Sequence, residues 1–393
     1  MMNDNTFGFV KNACDKAIEE GFLPFAATLM IQDGKELCYY ETGYKDVENK
    51  VPFTRDTICR LYSLSKSVTS VAVHILLERG IISLCEPVSK YLPGFEKLMV
   101  EENGSVRKPK RPLHIRELLS MQSGLLYNGK GLAGEDGLKR FTFIEETCQN
   151  PDSMTTVEFA NYLGEGIAKF DARDGWAYGS GADVLGAIVE VASGKRFGDF
   201  LREEIFEPLG MKDTGFFVPE EKLSRLSNTY KERTDAMIKD VKPHLGVLNA
   251  PVNAPNFESG GAGLFSTVDD LARFGTMLLN KGEWNGKRIL SEKTFKTMTT
   301  PQLTDTETEW YWNYFGLNRG FSYGNLMRIN VWPEKGYCFG EAGEFGWDGY
   351  MGCYMSVIPS KNALLFFMTQ KGATGFNYVT KKLRNIAFSQ IFE

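Results

Sequence analysis

One short segment of the 393-residue chain has the residue types and spacing of an activated nucleophile: Ser63-Leu64-Ser65-Lys66. A helix turns about 100° and rises about 1.5 Å per residue, so residues three apart lie on neighbouring azimuths about 4.5 Å apart along the axis. If the helix starts at or just before Ser63, the lysine amine reaches the serine hydroxyl. The helix N-terminus also offers free N–H groups and a positive dipole end, both favourable to a developing oxyanion. A lysine with an ordinary pKa of about 10.4 is protonated at neutral pH, so it serves as a base only if its surroundings depress that value. A tyrosine is the usual partner. Tyr178 stands out, because in Trp176-Ala177-Tyr178-Gly179-Ser180-Gly181 it and a small polar residue precede a helix-like run.

Other nucleophile chemistries fit the residues less well. The three histidines are His74, His114 and His244. His74 falls inside a helical run, His114 precedes a helix start, and His244 sits in a Lys-Pro-His-Leu loop. None has the H-E-x-x-H spacing of a metal site, and a Ser-His-Asp triad lacks a suitable histidine. Gly320-Phe321-Ser322-Tyr323-Gly324 matches the G-x-S-x-G pattern, but that pattern needs a strand-to-helix turn with a histidine later in the chain. Here residues 326–331 read as a strand, and no histidine follows His244.

The bulk numbers exclude several classes. A net charge of −5 argues against nucleic acid as the main partner. The one basic run, Arg107 to Arg111, is interrupted by Pro109 and followed by Pro112, as in a solvated loop. Seven scattered cysteines without a C-x-x-C pair suit free thiols in a reducing compartment. No basic start with an apolar core opens the chain, and no run reaches the ~18 apolar residues of a membrane helix. A cytoplasmic enzyme without cofactor or metal, acting on a small molecule, is the expectation. The sequence is silent on oligomeric state.

Periodicity places the elements that must hold these residues. Residues 6–20 read as a helix closed by Gly21, followed by strands 25–32 and 36–43 joined by Asp33-Gly34, a strong hairpin signal. The stripe Val68, Val71, Ala72, Ile75 and Leu76 predicts a helix over 65–79, with Gly80 at its end. Residues 86–240 read mostly as helices and loops, with helices at 114–121, 157–166, 182–192 and 198–206. A glycine-rich loop, 258–263, leads into a helix with Ser266 as N-cap and Asp269 three residues on. Another helix begins near Ser291, and Trp310-Tyr311-Trp312-Asn313-Tyr314 reads either as strand and loop packing near the Gly316 turn or as a weaker candidate for a cleft rim. Strands 350–358 and 363–369 and a helix over 376–392 close the chain. The expected fold is α/β (α+β), with a discontinuous domain from 1–85 plus 240–393 and a mainly helical domain, 86–239, inserted into it. The active site would lie at their interface.

Four segments together resemble the serine β-lactamase-related superfamily in its class C branch, which includes penicillin-binding carboxypeptidases and family VIII carboxylesterases. They are Asp56 to Lys66, Ile81 to Pro93, Ile115 to Leu125 and Gly260 to Asp270. The resemblance spans nearly the whole chain and implies the β-lactamase/transpeptidase-like fold, an antiparallel sheet flanked by helices. It implies Ser63 as the acylated nucleophile, Lys66 as its partner, and Tyr178 as general base or as proton relay to the leaving group. It also implies an oxyanion hole from the backbone N–H groups of Ser63 and Tyr350.

Three departures bear on the substrate. The K-[ST]-G tripeptide is absent, and Trp347-Asp348-Gly349 stands in its place. Losing that lysine removes a charge-assisted contact to a substrate carboxylate and leaves an apolar wall. Ser180 replaces the asparagine usual two positions after the tyrosine, and has fewer donors for a substrate amide. Met121 stands where many relatives have histidine. The resulting expectation is a carboxylesterase for small esters, with Trp347, Gly349, Ser180, Tyr62, Tyr127, Trp176 and Tyr350 around the substrate. Acyl transfer to an alcohol or amine, hydrolysis of β-lactams or D-amino-acid peptides, and a penicillin-binding-like sensor are the alternatives.

Overall fold

The computed structural model describes residues 4–233 and 236–392. Eight antiparallel strands form its main sheet. In chain order they are β1 (Phe25–Gln32), β2 (Lys35–Asp46), β3 (Val51–Pro52), β4 (Phe321–Gly324), β5 (Met327–Asn330), β6 (Phe345–Asp348), β7 (Tyr354–Ile358) and β8 (Ala363–Met368). Their spatial order is β4-β5-β6-β7-β8-β1-β2-β3. The two ends of the chain therefore meet at the centre of the sheet, with Ala27 opposite Met368 and Gln32 opposite Ala363. Asp33 and Gly34 both take positive φ, 52° and 71°, the conformation a two-residue hairpin turn requires.

Side chains alternate between the faces of a strand, and both faces of β8 are apolar. Leu364, Phe366 and Met368 enter the large core shared with the helical region. Ala363, Leu365 and Phe367 pack against the helix Asp4–Glu19 and the C-terminal helix Tyr378–Ile386. The large core is continuous from sheet residues such as Leu29 and Phe345 to Ile115, Phe159 and Val184 of the intervening region. Among the described residues no helix is long and apolar enough to cross a membrane. The seven cysteines are unpaired.

Several elements differ from their sequence expectation for identifiable reasons. A helix at Leu132–Thr147 contains Gly134 and Gly137, which read as loop. A methyl at Gly137 would lie 2.3 Å from the Leu126 carbonyl oxygen, so these glycines serve close packing inside a helix. Residues 305–314 are helical, with Thr304 as N-cap in a capping box with Glu307. The caps outweigh the aromatic run that suggested strand. The helix Val268–Leu279, after the glycine-rich loop, is capped one residue later than expected, by Thr267, whose side chain accepts from the Asp270 N–H. Periodicity did not mark β6, because Gly346, at φ +152°, interrupts its pattern, although the resemblance sets these residues in the place of the K-[ST]-G strand; the strand expected from 350 begins at Tyr354. The G-x-S-x-G match is no elbow. Ser322 is buried in β4 within 2.9 Å of Thr308 Oγ1, and Asn325-Leu326 form the hairpin turn that follows.

Candidate active site

Ser63 sits in a 3₁₀ turn, Tyr62–Leu64, that runs directly into the helix Ser65–Glu78. Tyr62, just before it, has φ +46°, an uncommon conformation for a non-glycine residue and one that fixes how Ser63 enters the turn. Lys66 is fully buried, and its Nζ lies 3.2 Å from Ser63 Oγ. The same spacing recurs at Ser105–Lys108, but there the chain is extended and exposed, so no helix brings the pair together.

Two further groups hold the amine. Lys66 Nζ donates to the Gly261 carbonyl at 2.8 Å and lies 3.1 Å from the Tyr127 hydroxyl. Tyr127 in turn donates to Asp183 Oδ2 at 3.3 Å, while Asp183 Oδ1 accepts from Ser259 Oγ at 2.6 Å and from Gly261 N–H at 3.0 Å. The glycine-rich loop is glycine-rich because it lies against these side chains. A methyl on Gly261 would come within 2.7 Å of Asp183 Oδ2 and 2.8 Å of the Tyr127 hydroxyl. Burial lowers the Lys66 pKa to about 8, against the opposing pull of Asp183 and Asp348. Burial likewise pushes the Asp183 carboxyl upward, with Lys66 and its hydrogen-bond donors resisting.

Tyr178 directly precedes the helix Gly181–Ser193, and its ring lies 4.7 Å from Lys66 Nζ. Burial raises its pKa well above the usual tyrosine value, opposed by hydrogen bonds with Ser63 and Trp347. Trp347 Nε1 donates to the Tyr178 oxygen at 3.1 Å. The expected apolar wall is thus also a donor, a role that depends on β6 and that residue type alone does not reveal.

At the end of β6, a methyl on Gly349 would lie 2.1 Å from the Leu61 carbonyl oxygen, so only glycine lets this strand end approach the turn that holds Ser63. Among the hydrogen bonds of the described residues, none is donated by the backbone N–H of Ser63 or of Tyr350. Ser63, Tyr178, Trp347 and Tyr350 all line one cleft of about 690 Å³. Its outer walls are aromatic, from Phe22, Tyr314, Phe315, Phe376 and Tyr378. Among the described residues, no lysine, arginine or histidine lines it, and the one acid that does, Asp348, is bonded to Arg328.

The expected rim needs correction. Ser180, Tyr62, Tyr127, Trp176 and Gly349 do not line the cleft. Ser180 is buried at the start of its helix. Tyr62 packs beneath Tyr350, Tyr127 turns toward Lys66 and Asp183, and Trp176 stacks behind Tyr178. Gly349 packs on Leu61. The roles of Asp183 and Gly261 were missed, although both fall within conspicuous sequence segments. Of the outer wall, Tyr314 falls in the aromatic run the sequence offers as a weaker rim candidate, whereas Phe22 and residues 376–378 were missed, because they come from the chain's two ends.

Comparison with known proteins places this geometry. The chain is 30% identical over 385 residues to Protein Rv1367c of Mycobacterium tuberculosis, covering 93% of this chain and 90% of that one. It is 26% identical to penicillin-binding protein 4* of Bacillus subtilis, covering 94% and 74%. Among solved structures, that of "EstCE1, a hydrolase with promiscuous acyltransferase activity" superposes with a TM-score of 0.81 at 21% identity, covering 98% and 99%, and shows the shared fold. The Beta-lactamase family model matches residues 10–387, and the chain belongs to that family.

Proposed function

We infer that this protein is a serine hydrolase that cleaves small uncharged esters through an acyl-enzyme on Ser63. The observation that carries this reading is the buried Lys66 amine 3.2 Å from Ser63 Oγ, with its pKa lowered to about 8. At pH 7 about a tenth of such lysines are neutral, against about one in 3,000 at the ordinary lysine value of 10.5.

The donor count in the neutral form of the amine supports Lys66 as the base. Tyr127 gives its hydrogen to Asp183, so its oxygen accepts from Lys66, and Gly261 accepts the second Lys66 hydrogen. A neutral amine has only two hydrogens. Its lone pair therefore faces Ser63, and Lys66 is the base. Tyr178 is held as a neutral phenol and accepts from Trp347, so its own O–H serves as the acid.

In acylation, the Ser63 proton passes to Lys66 as Oγ bonds to the ester carbonyl carbon. The carbonyl oxygen becomes an oxyanion held by the Ser63 and Tyr350 N–H groups. The C–O bond to the alcohol then breaks, the alkoxide takes the Tyr178 proton, and Lys66 returns its proton to Tyr178 through the site. Water repeats the sequence against the acyl-enzyme, loses one proton to this relay and releases the acid, while Ser63 regains its hydrogen.

Family membership alone does not choose the acyl group, since the relatives include a penicillin-binding protein. The cleft favours esters without a carboxylate, because no basic side chain lines it and Trp347 stands beside the nucleophile. The test is turnover of p-nitrophenyl acetate and butyrate against nitrocefin. Ester turnover that vanishes in Ser63→Ala supports the reading, and a much faster nitrocefin reaction overturns the ester assignment. Acyl transfer to an added alcohol uses the same residues, and product analysis separates it from hydrolysis.

A further inference from the structure

His244 has no part in the chemistry above, yet its imidazole packs against Tyr350, one of the two residues assigned to the oxyanion hole, and against Tyr62, the residue before the other. Its ring centroid lies 4.7 Å from that of Tyr350 and 6.0 Å from that of Tyr62, and the two tyrosine rings are 5.7 Å apart. Tyr62 is the residue immediately before Ser63, and Tyr350 carries the second N–H. The spacing between the two donors therefore depends on how these rings are held.

The imidazole is itself fixed. His244 and Val247 exchange backbone hydrogen bonds in a tight turn, with Leu245 at φ +55°. Glu145, from the helix Leu132–Thr147, places one oxygen 2.6 Å from the Leu245 N–H and 3.3 Å from His244 Nδ1. Leu245 and Val247 then close a small apolar cluster over Tyr62, Ala262 and Met351. Residues 244–247 thus form a strap, anchored by a carboxylate and laid over the rings behind the nucleophile turn. Tyr62 holds an unfavourable backbone conformation, φ +46°, which persists only where its surroundings over-determine it.

We propose that His244, anchored by Glu145, is a positioning residue that sets the geometry of the oxyanion hole by bracing Tyr62 and Tyr350. The proposal rests on the Ser63 acyl-enzyme reading. The ring, not a proton, does the bracing. Losing one oxyanion donor costs about 10²–10³ in kcat, so a displaced pair costs somewhat less, about 30-fold.

The test compares p-nitrophenyl acetate with its thiono analogue, whose sulfur is a poor hydrogen-bond acceptor and gains little from a well-formed hole. In His244→Ala, kcat for the oxygen ester should fall about 30-fold with KM changed less than about threefold, while the thionoester loses only a few-fold. His244→Phe, which keeps an aromatic ring, should restore both rates to within about threefold of the parent. Glu145→Ala, which removes the oxygen that anchors the strap, should lower the oxygen-to-sulfur rate ratio in the same direction, and serves if His244→Ala folds poorly. Unchanged oxygen-ester turnover in a folded His244→Ala, or equal losses on both substrates, would overturn the proposal. Failure of the underlying reading shows separately, as turnover that survives Ser63→Ala.

Discussion

The base assignment fixes the shape of the pH dependence of acylation. Raising pH from 6 to 9 is the perturbation, and the neutral fraction of Lys66 is what it changes. With a pKa of about 8, that fraction is about 1% at pH 6, about 10% at pH 7 and about 90% at pH 9. The acylation rate should therefore rise about 90-fold over this span, with a slope near one below pH 7.5 and a plateau above about pH 9. A lysine at 10.5 would instead give about a thousandfold rise over the same span with no plateau. A tyrosinate base would also give no plateau, since burial raises Tyr178. The assay is the burst of p-nitrophenol from p-nitrophenyl butyrate, measured by stopped flow and corrected for spontaneous hydrolysis. A rate flat from pH 6 to 9, or still rising tenfold per unit at pH 9, would refute the assignment of Lys66 as base.

Other consequences are as specific. The depressed lysine destabilises the fold: its folded pKa lies below its unfolded value, so the unfolded chain binds more protons between about pH 8 and 10.5, and stability rises with pH across that window. Lys66→Met should be inactive yet about 2 kcal/mol more stable at pH 7 in urea melts; this is less than the full linkage cost, because the Gly261 carbonyl loses its donor. Trp347→Phe keeps the wall but removes the Nε1 donor to Tyr178, so kcat should fall about tenfold with KM nearly unchanged. An unchanged kcat would remove Trp347 from the relay. Gly349→Ala places a methyl 2.1 Å from the Leu61 carbonyl, and should cost about 100-fold in kcat while the protein stays folded by circular dichroism.

How much of this is readable without coordinates follows from how local each feature is. Ser63 and Lys66 are three residues apart across a 3₁₀ turn that runs straight into a helix, so local spacing alone brings them together. The Asp33-Gly34 hairpin and the helix ending near Gly80 are local in the same sense. Tyr178 is 112 residues beyond Lys66 and was legible only through the pattern around it. Tyr127 and Gly261 meet at the amine, with Asp183 bonded to both, through packing between segments far apart in the chain; their segments are conspicuous, but nothing in them marks the meeting. Trp347 was legible as a missing charge, but its bond to Tyr178 depends on the course of β6, which Gly346 concealed. The aromatic outer wall draws on Phe22 and Tyr378, which become neighbours only because β1 and β8 pair at the sheet centre.

The most direct test of the account is rapid-quench mass spectrometry of the protein during turnover of p-nitrophenyl butyrate, with peptide mapping of any adduct. A butyryl adduct should accumulate on the peptide containing Ser63, decay as product forms, and be absent in Ser63→Ala. Turnover with no adduct at any quench time, or an adduct confined to another residue, would contradict it.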